Sequence, residues 1–208
     1  MSTISISVTK TSQSKLPETD FSSLVFGKSI SDHMFVADYQ NGAWGDFRIV
    51  PYGPMEIYPG NATLHYGQAI FEGMKAYKNE QGEVLVFRAE ANAKRLNESA
   101  TRMCMPTLPE PVFIEALRQL LSLDKGWVPQ EKGSSLYIRP FMFAMDNYLG
   151  VKASETYRFM IFTSPVGAYY SKPVSVKVET TYTRACEGGT GEAKAAGNYA
   201  ASLYPAQL

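Results

Sequence analysis

The sequence predicts an α+β fold, because strand patterns come first, helix patterns follow and strand patterns then return. Two hairpin signals precede residue 89, two amphipathic stretches follow, and two apolar strands begin after residue 134. We therefore expect a small N-terminal α/β domain with a mixed sheet and two helices. A further strand, a glycine-rich turn and the start of a helix would then open a second domain.

The two hairpins are the clearest local signals in the chain. Asn41-Gly42 separates two aromatic and aliphatic runs within 33–50, and this dipeptide favours a two-residue turn between paired strands. A second hairpin is expected around a turn at 79–82, with its second strand ending at Arg88. Both hairpins lie in the part of the chain that precedes the helices.

Period and composition predict the remaining elements. Helices are expected at 89–103 and, after a Pro-Glu-Pro sequence, at 112–123, because apolar residues recur there at helical spacing. Alternating or continuous apolar residues predict strands at 135–145, 157–166 and 174–180.

These elements suggest four parts of the chain. Residues 1–20 are rich in Ser, Thr and Lys and are expected to form an N-terminal arm. The small domain would cover 21–166, and the Gly- and Pro-containing stretch 167–173 would link it to a large domain starting at 174–208.

Composition excludes several classes of protein. Twenty basic residues balance twenty acidic ones without a basic block, so neither nucleic acid nor an anionic membrane is an expected partner. We expect no secretory signal and no membrane span, because long uninterrupted apolar runs are missing. Cys104 and Cys186 lack the spacing of metal ligands, and we expect a reducing, cytoplasmic setting, no metal and a small neutral or zwitterionic ligand.

The segment that follows residue 180 has the strongest chemical signal. Three glycines within four positions precede Lys194, and an Ala-rich, helical-looking stretch with Tyr199 follows it. A phosphate-binding P-loop is excluded because Lys194 lies between Ala193 and Ala195, not before Ser or Thr. Two interpretations remain from these residues: a solvated surface lysine, or an amine that small neighbours allow to approach a planar ligand.

The string EGGTGEAKAAGNYAASL, which contains this lysine, resembles the lysine motif of branched-chain amino acid aminotransferases, a fold-type-IV pyridoxal-phosphate family. Other strings resemble that family's successive signatures in the same order. They are VFGKSISDHM (25–34), LHYGQAIFEGMKAY (64–77), NAKR (92–95), SLYIRP (135–140) and SPVGAYY (164–170). Together they extend over nearly all of the chain after residue 20.

The resemblance implies a Schiff base between Lys194 and pyridoxal 5′-phosphate, with Lys194 also moving the proton during catalysis. It places Tyr199 at the O3′ oxygen of the cofactor and Arg95 at the phosphate. From the residues alone, Tyr199 could equally be a core aromatic, and Arg95 could be a solvated helix residue.

The resemblance also implies a substrate pocket and a reaction. Branched-chain L-amino acids (Leu, Ile, Val) would be transaminated with 2-oxoglutarate to 2-oxo acids and glutamate, in their biosynthesis or degradation. Arg139 would receive the side-chain carboxylate of glutamate. Leu149 and Val151 would complete the pocket of a neighbouring subunit in a homodimer. The aromatic wall would consist of Phe26, Tyr66, Phe71, Tyr137 and Tyr169, of which Phe26 and Phe71 could also be plain core residues.

Two alternatives stay open at this point. The same fold could serve a D-amino acid aminotransferase or an aminodeoxychorismate lyase, although the Tyr137-x-Arg139 pair favours branched-chain substrates. Members of the family continue well beyond the position of Leu208 and form a large domain of which this sequence has only the start. The other interpretation is therefore a non-catalytic dimerising fragment.

Overall fold

The computed structural model describes residues 4–168, 170 and 172–208, whose strands form one mixed, curled sheet. The strands are β1 Ser7–Val8, β2 His33–Gln40, β3 Ala43–Pro51, β4 Ala69–Phe71, β5 Met74–Lys78, β6 Val84–Val86, β7 Ser135–Ala144 and β8 Tyr157–Val166. Their order is β1-β3-β2-β8-β7-β5-β6, and β4 pairs separately with β7. The pairing of β1 with β3 is parallel, whereas β7 and β8 pair antiparallel along their whole length. This architecture confirms the predicted α+β class.

Both predicted hairpins are present. Asn41 and Gly42 join β2 to β3 with φ angles of 53° and 79°, the left-handed backbone that a two-residue turn requires. The second turn joins β5 to β6 and includes Gly82 at φ 78°. β6 ends at Val86, two residues before the predicted end at Arg88, because Arg88 already has a left-handed conformation and precedes a helix.

The two long helices pack on one face of the sheet. α2 and α3 agree with the predicted ranges to within two residues, and each buries an apolar stripe that includes Leu96 and Leu120, respectively. The helices of the described residues are α1 Ala62–Tyr66, α2 Ala89–Arg102, α3 Glu110–Leu123 and α4 Ala196–Ala200. The helix start predicted after Lys194 is present as α4, whereas α1 was not predicted, because five residues are too few to show a period. Single 3₁₀ turns lie at Leu16–Glu18, Phe21–Ser23, Lys125–Trp127 and Pro205–Gln207.

The central strands are covered on both faces. Phe35 of β2 and Phe159 of β8 belong to the main core under α2 and α3, and both are fully buried. Their neighbours Met34 and Met160 point the other way, into a smaller apolar cluster. Alternate residues on β7 also face opposite sides, and those that face α2 and α3, such as Leu136 and Ile138, belong to the core. The side chains that could form a site therefore lie on the other face of the sheet.

Residues 11–15 are hydrogen-bonded to the residues at the start of β2. The Lys15 N–H donates to Asp32 Oδ1 at 2.9 Å, and the Thr11 N–H donates to His33 Nε2 at 3.0 Å. His33 Nδ1 in turn lies 2.6 Å from Oδ1 of the buried Asp124, at the end of α3. Thr11 and Lys15 are therefore held at the end of β2 that lies beside Asp124, while the arm boundary at residue 20 stays a prediction.

The predicted strand at 174–180 is not formed. No strand among the described residues pairs with this segment, and the Val176 and Val178 side chains are 87% and 83% exposed. A strand pattern yields a strand only where a neighbouring backbone supplies hydrogen bonds, and within the described chain none does so here. The domain limits at 166 and 174 also stay predictions. Within the described part of the chain, no helix is both long and apolar enough to cross a membrane.

Candidate active site

The backbone of Lys194 is fixed on both sides by earlier parts of the chain. Its N–H donates to Ser99 Oγ in α2 at 3.0 Å, and its carbonyl accepts from the Phe71 N–H in β4 at 3.1 Å. Ala195 forms an antiparallel bridge with Ile70. Lys194 and Ala195 therefore pair with β4 at the end of the sheet.

A buried asparagine connects the glycine-rich turn with α4. Asn198 Nδ2 donates to the carbonyls of Thr190 and Ala193 at 2.7 and 2.8 Å, and its Oδ1 accepts from Thr190 Oγ1 at 2.7 Å. Arg102 Nη2 donates to the Gly189 carbonyl at 2.9 Å from the outside. These bonds hold the two segments that flank the lysine in one arrangement.

The side chain of Lys194 meets a phenol and an aromatic face. Its Nζ donates to Tyr199 Oη at 2.8 Å and lies 4.4 Å from the centroid of the Phe71 ring. The Phe71 and Tyr199 rings are themselves 4.8 Å apart. Lys194 is half-buried and Tyr199 is 41% exposed, so a ligand can reach the amine from solvent. Amine and phenol are close enough to share a proton.

A guanidinium is anchored next to this pair. Arg95 Nε and Nη2 donate to Glu72 Oε1 and Oε2 at 2.6 and 2.7 Å. Glu72 follows Phe71 directly and is fully buried, whereas the Arg95 side chain is 54% exposed. The hydrogen bonds with Glu72 raise the pKa of Arg95, and the nearby Tyr199 adds a smaller effect in the same direction. One edge of the guanidinium is thus engaged while the rest faces outward.

A second guanidinium extends the aromatic cluster along β7. The Arg139 Cζ lies 4.6 Å from the Phe71 centroid, and Arg139 Nη2 donates to Tyr137 Oη at 2.8 Å. The Tyr137 ring contacts the Phe26 ring edge-on at 5.0 Å. These contacts form a continuous row from Lys194 to Phe26 on the face of the sheet away from α2 and α3.

A cavity of about 590 Å³ lies at the far end of this row. Its walls are mainly apolar, and Lys75 places a charged group at its edge. Apolar walls with few polar groups are typical of small-molecule sites. The cavity is lined by Leu24, Val25, Phe26, Lys75, Tyr137, Val166, Gly167 and Ala168.

Three of the other predicted site residues are exposed, at the end of a helix and on a loop. Tyr66 ends α1 and is 46% exposed. Leu149 and Val151 lie in the loop after β7, with exposures of 66% and 90%. Tyr169 lies outside the described residues. The structure therefore brings Lys194 together with Tyr199, Phe71, Arg139, Tyr137 and Phe26, with Arg95 beside them through Glu72.

Three residues that hold the site were missed from the sequence. Ser99 looks like one more polar helix position, Asn198 like part of a turn, and Glu72 like an exposed strand residue. Only Glu72 had a usable signal, because it lies between the apolar residues of two short strands, where a charge is unexpected.

Three of the curated proteins similar to this chain are named as branched-chain-amino-acid aminotransferases or transaminases. Branched-chain-amino-acid transaminase 1 of Bacillus subtilis is 56% identical over 189 residues, which are 88% of this chain and 53% of the relative. The chain spans about half the length of the curated relatives it matches. No protein-family model matches the sequence.

Solved structures agree with this result. The branched-chain amino acid aminotransferase of Escherichia coli is 27% identical with a TM-score of 0.63, over 83% of this chain and 54% of that chain. The branched-chain aminotransferase of the archaeon Thermoproteus uzoniensis, solved with norvaline, is 22% identical with a TM-score of 0.65. That match covers 84% of this chain and 55% of the other. The described fold thus matches part of the fold-type-IV aminotransferase fold.

Proposed function

We propose that this chain, a homologue of the branched-chain-amino-acid aminotransferases along most of its length, carries the cofactor-binding lysine of such an enzyme. The reaction would be transfer of the amino group of Leu, Ile or Val to 2-oxoglutarate. The observation that supports the proposal best is the 2.8 Å hydrogen bond between Lys194 Nζ and Tyr199 Oη.

The side chains around Lys194 suit pyridoxal 5′-phosphate. A covalent link to the aldehyde needs a primary amine in a confined position, and Lys194 is held at its backbone while its Nζ stays accessible. A phenolic oxygen on the cofactor would find a hydrogen-bonding partner in Tyr199. A phosphate would find N–H donors on the outward part of Arg95. The donor set therefore fits the group.

When bound, the cofactor supplies an electron sink that allows an amino acid to lose its α-proton. Lys194 Nζ would accept that proton at the α-carbon and return it to the cofactor side. Tyr199 would keep the amine oriented between these two tasks, since it already bonds Nζ at 2.8 Å. Phe71 would exclude water from one side, with its ring 4.4 Å from Nζ.

The substrate side chain would lie along the aromatic row. Phe26, Phe71 and Tyr137 offer apolar surface to an aliphatic side chain, and Tyr66 and Tyr169 would extend this wall. Arg139 would bind the second carboxylate of glutamate or 2-oxoglutarate, since its guanidinium is already oriented by Tyr137. Another solved branched-chain amino acid aminotransferase is complexed with N-(5′-phosphopyridoxyl)-L-glutamate, which supports glutamate as one substrate.

A homodimer is part of the proposal. Leu149 and Val151 are apolar side chains left 66% and 90% exposed on one loop. Exposed apolar residues of this kind are typical of surfaces that meet a partner. In the homodimer, this loop would cover the pocket of the second subunit.

The covalent link is tested by reduction. The polypeptide is incubated with pyridoxal 5′-phosphate, treated with borohydride and digested, and the modified peptide is identified by mass spectrometry. We expect the label on Lys194, its loss in Lys194→Ala, and its retention in Lys177→Ala, a control lysine in the same part of the chain. A label on any other lysine, or none on the folded protein, contradicts the proposal.

Substrate class is tested on the same preparation by following spectral conversion of the cofactor after addition of one amino acid at a time. L-Leu, L-Ile and L-Val should convert it, and D-Ala should not. Conversion by D-Ala alone would favour a D-amino acid aminotransferase of the same fold instead.

A further inference from the structure

Glu72 is a fully buried carboxylate that accepts two hydrogen bonds from the guanidinium of Arg95. Besides the two bonds from Arg95, its Oε2 accepts from Asn92 Nδ2 at 2.8 Å and from the Gly73 N–H at 3.3 Å. Its own N–H donates to the Pro140 carbonyl of β7 at 2.8 Å. The carboxylate is therefore fixed to the sheet and cannot follow Arg95 if that side chain moves.

We propose that Glu72 is a positioning residue that holds Arg95 beside Tyr199 so that the guanidinium can bind the phosphate of the cofactor. This inference rests on the proposed function. It concerns the phosphate end of the ligand, whereas Lys194 acts at the aldehyde end.

The geometry of a guanidinium supports this division of tasks. Arg has five N–H donors in one plane, and the bidentate pair with Glu72 occupies Nε and one hydrogen of Nη2. Both hydrogens on Nη1 and the second on Nη2 remain. Because the Arg95 side chain is 54% exposed, these donors can meet an anion without breaking the pair.

Charge explains why a carboxylate is needed here and an amide would not suffice. Three N–H groups, from Arg95, Asn92 and Gly73, converge on Oε2. The NH₂ group of a glutamine would face these three donors if it replaced Oε2, or Arg95 Nε if it replaced Oε1. A free arginine side chain would also lose conformational entropy when it bound phosphate, whereas the anchored Arg95 has already lost it.

The test separates phosphate binding from the covalent link by comparing two ligands. Pyridoxal 5′-phosphate and pyridoxal both have the aldehyde, but only the first has the phosphate. Their dissociation constants are measured by absorbance titration on the wild type, on Glu72→Gln and on Glu115→Gln. Glu115 is the matched control, because it makes a bidentate pair with Arg118 on the surface of α3.

We expect Glu72→Gln to weaken binding of the phosphorylated ligand by about tenfold, the effect of losing one well-placed charge-assisted hydrogen bond. Pyridoxal binding should change by less than about twofold, and Glu115→Gln should leave both constants unchanged. Equal weakening of both ligands, or no weakening of either, would overturn the inference.

Two further variants keep the test decisive if Glu72→Gln does not fold. Asn92→Ala removes one anchor of the carboxylate and should weaken the phosphorylated ligand selectively, by about threefold. Arg95→Lys should also lower the preference for the phosphorylated ligand, and the double variant of Asn92→Ala with Arg95→Lys should lower it no further than Arg95→Lys alone. Additive effects in the double variant would show that Glu72 does not act through Arg95.

The experiments distinguish failure of the proposed function from failure of the role proposed for Glu72. If borohydride places no label on Lys194 of the wild type with either ligand, the proposed function is wrong. If the wild type is labelled at Lys194 while Glu72→Gln keeps its full preference for the phosphorylated ligand, only the role of Glu72 is wrong.

Discussion

The hydroxyl of Ser99, in the last turn of α2, accepts a 3.0 Å hydrogen bond from the backbone N–H of Lys194, 95 positions later in the chain. Ser99 is 2% exposed, so no water can easily replace it. This bond connects α2 to the residue on which the proposed chemistry depends.

Ser99→Ala should therefore destabilise the protein by about 1–3 kcal/mol, because it leaves a backbone N–H without a partner. Urea unfolding measures this change. Ser122→Ala, on the exposed side of α3, is the matched control and should change stability by less than about 0.5 kcal/mol. Equal effects of the two substitutions would mean that the bond to Lys194 contributes nothing.

Gly73→Ala should displace Tyr137. A Cβ on Gly73 would lie 3.2 Å from the Tyr137 ring and only 2.5 Å from Tyr137 Oη, a distance that Cβ atoms essentially never show, so that side chain would have to move. We expect a loss of about 1–3 kcal/mol in thermal or urea unfolding from overpacking. Gly53→Ala, with no atom within 4 Å of the added Cβ, is the control. Tyr137→Phe in the Gly73→Ala background should recover part of the loss, and no recovery would argue against a clash with the hydroxyl.

Arg139→Lys should impair binding of a dicarboxylate selectively. Lysine cannot stack on Phe71 and bond Tyr137 Oη in the way the planar guanidinium does, at 4.6 and 2.8 Å. Calorimetric titration should show about tenfold weaker binding of 2-oxoglutarate and less than about twofold weaker binding of 4-methyl-2-oxopentanoate. Arg118→Lys is the control on the outer surface of α3. Equal losses of affinity for both ligands would indicate that Arg139 binds the carboxylate next to the keto group, which both ligands have.

Asp32 should make the stability of the protein fall at acid pH. Burial by itself raises the pKa of Asp32, but hydrogen bonds from Ser14, Lys15 and Trp127 outweigh it, so the pKa lies below its ordinary value of 3.8. Between the depressed pKa and the ordinary one, the unfolded chain binds more protons than the folded chain. The stabilisation is therefore complete above pH 3.8 and is lost as the pH falls through the folded pKa.

Unfolding of wild type and Asp32→Asn as a function of pH measures this contribution. The wild type should be more stable at pH 7 by about 1–3 kcal/mol, and the difference should shrink below about pH 4. Ser122→Ala, on the exposed side of α3, removes no ionisable group, so its difference from the wild type should stay constant across the acid range. A constant difference for Asp32→Asn across the acid range would exclude the ionised carboxylate as its source.

Local sequence patterns were sufficient for the hairpins and the long helices. The dipeptide Asn41-Gly42 favours a tight turn by its backbone preference alone, and the apolar stripe of α2 can be recognised from the sequence of the helix alone. β4 and the missing strand at 174–180 could not be judged this way, because a strand exists only through its neighbours.

The candidate site shows the same division. The short spacing between Lys194 and Tyr199 predicted that both side chains reach one site, and the structure brings them together. The pairing of Glu72 with Arg95 depends on the close approach of β4 and α2, which neither segment encodes alone. The catalytic, cofactor-binding and substrate-binding roles assigned to all of the predicted site residues stay predictions.

The bridge between Ile70 and Ala195 also has a consequence for the order of folding. The strands and helices that receive the lysine are complete by Val166, so during synthesis they can assemble while Lys194 is still inside the ribosome. The segment that contains Lys194 would then bind to strands and helices that have already folded. Its backbone would be captured by β4 and α2 without having helped to build them.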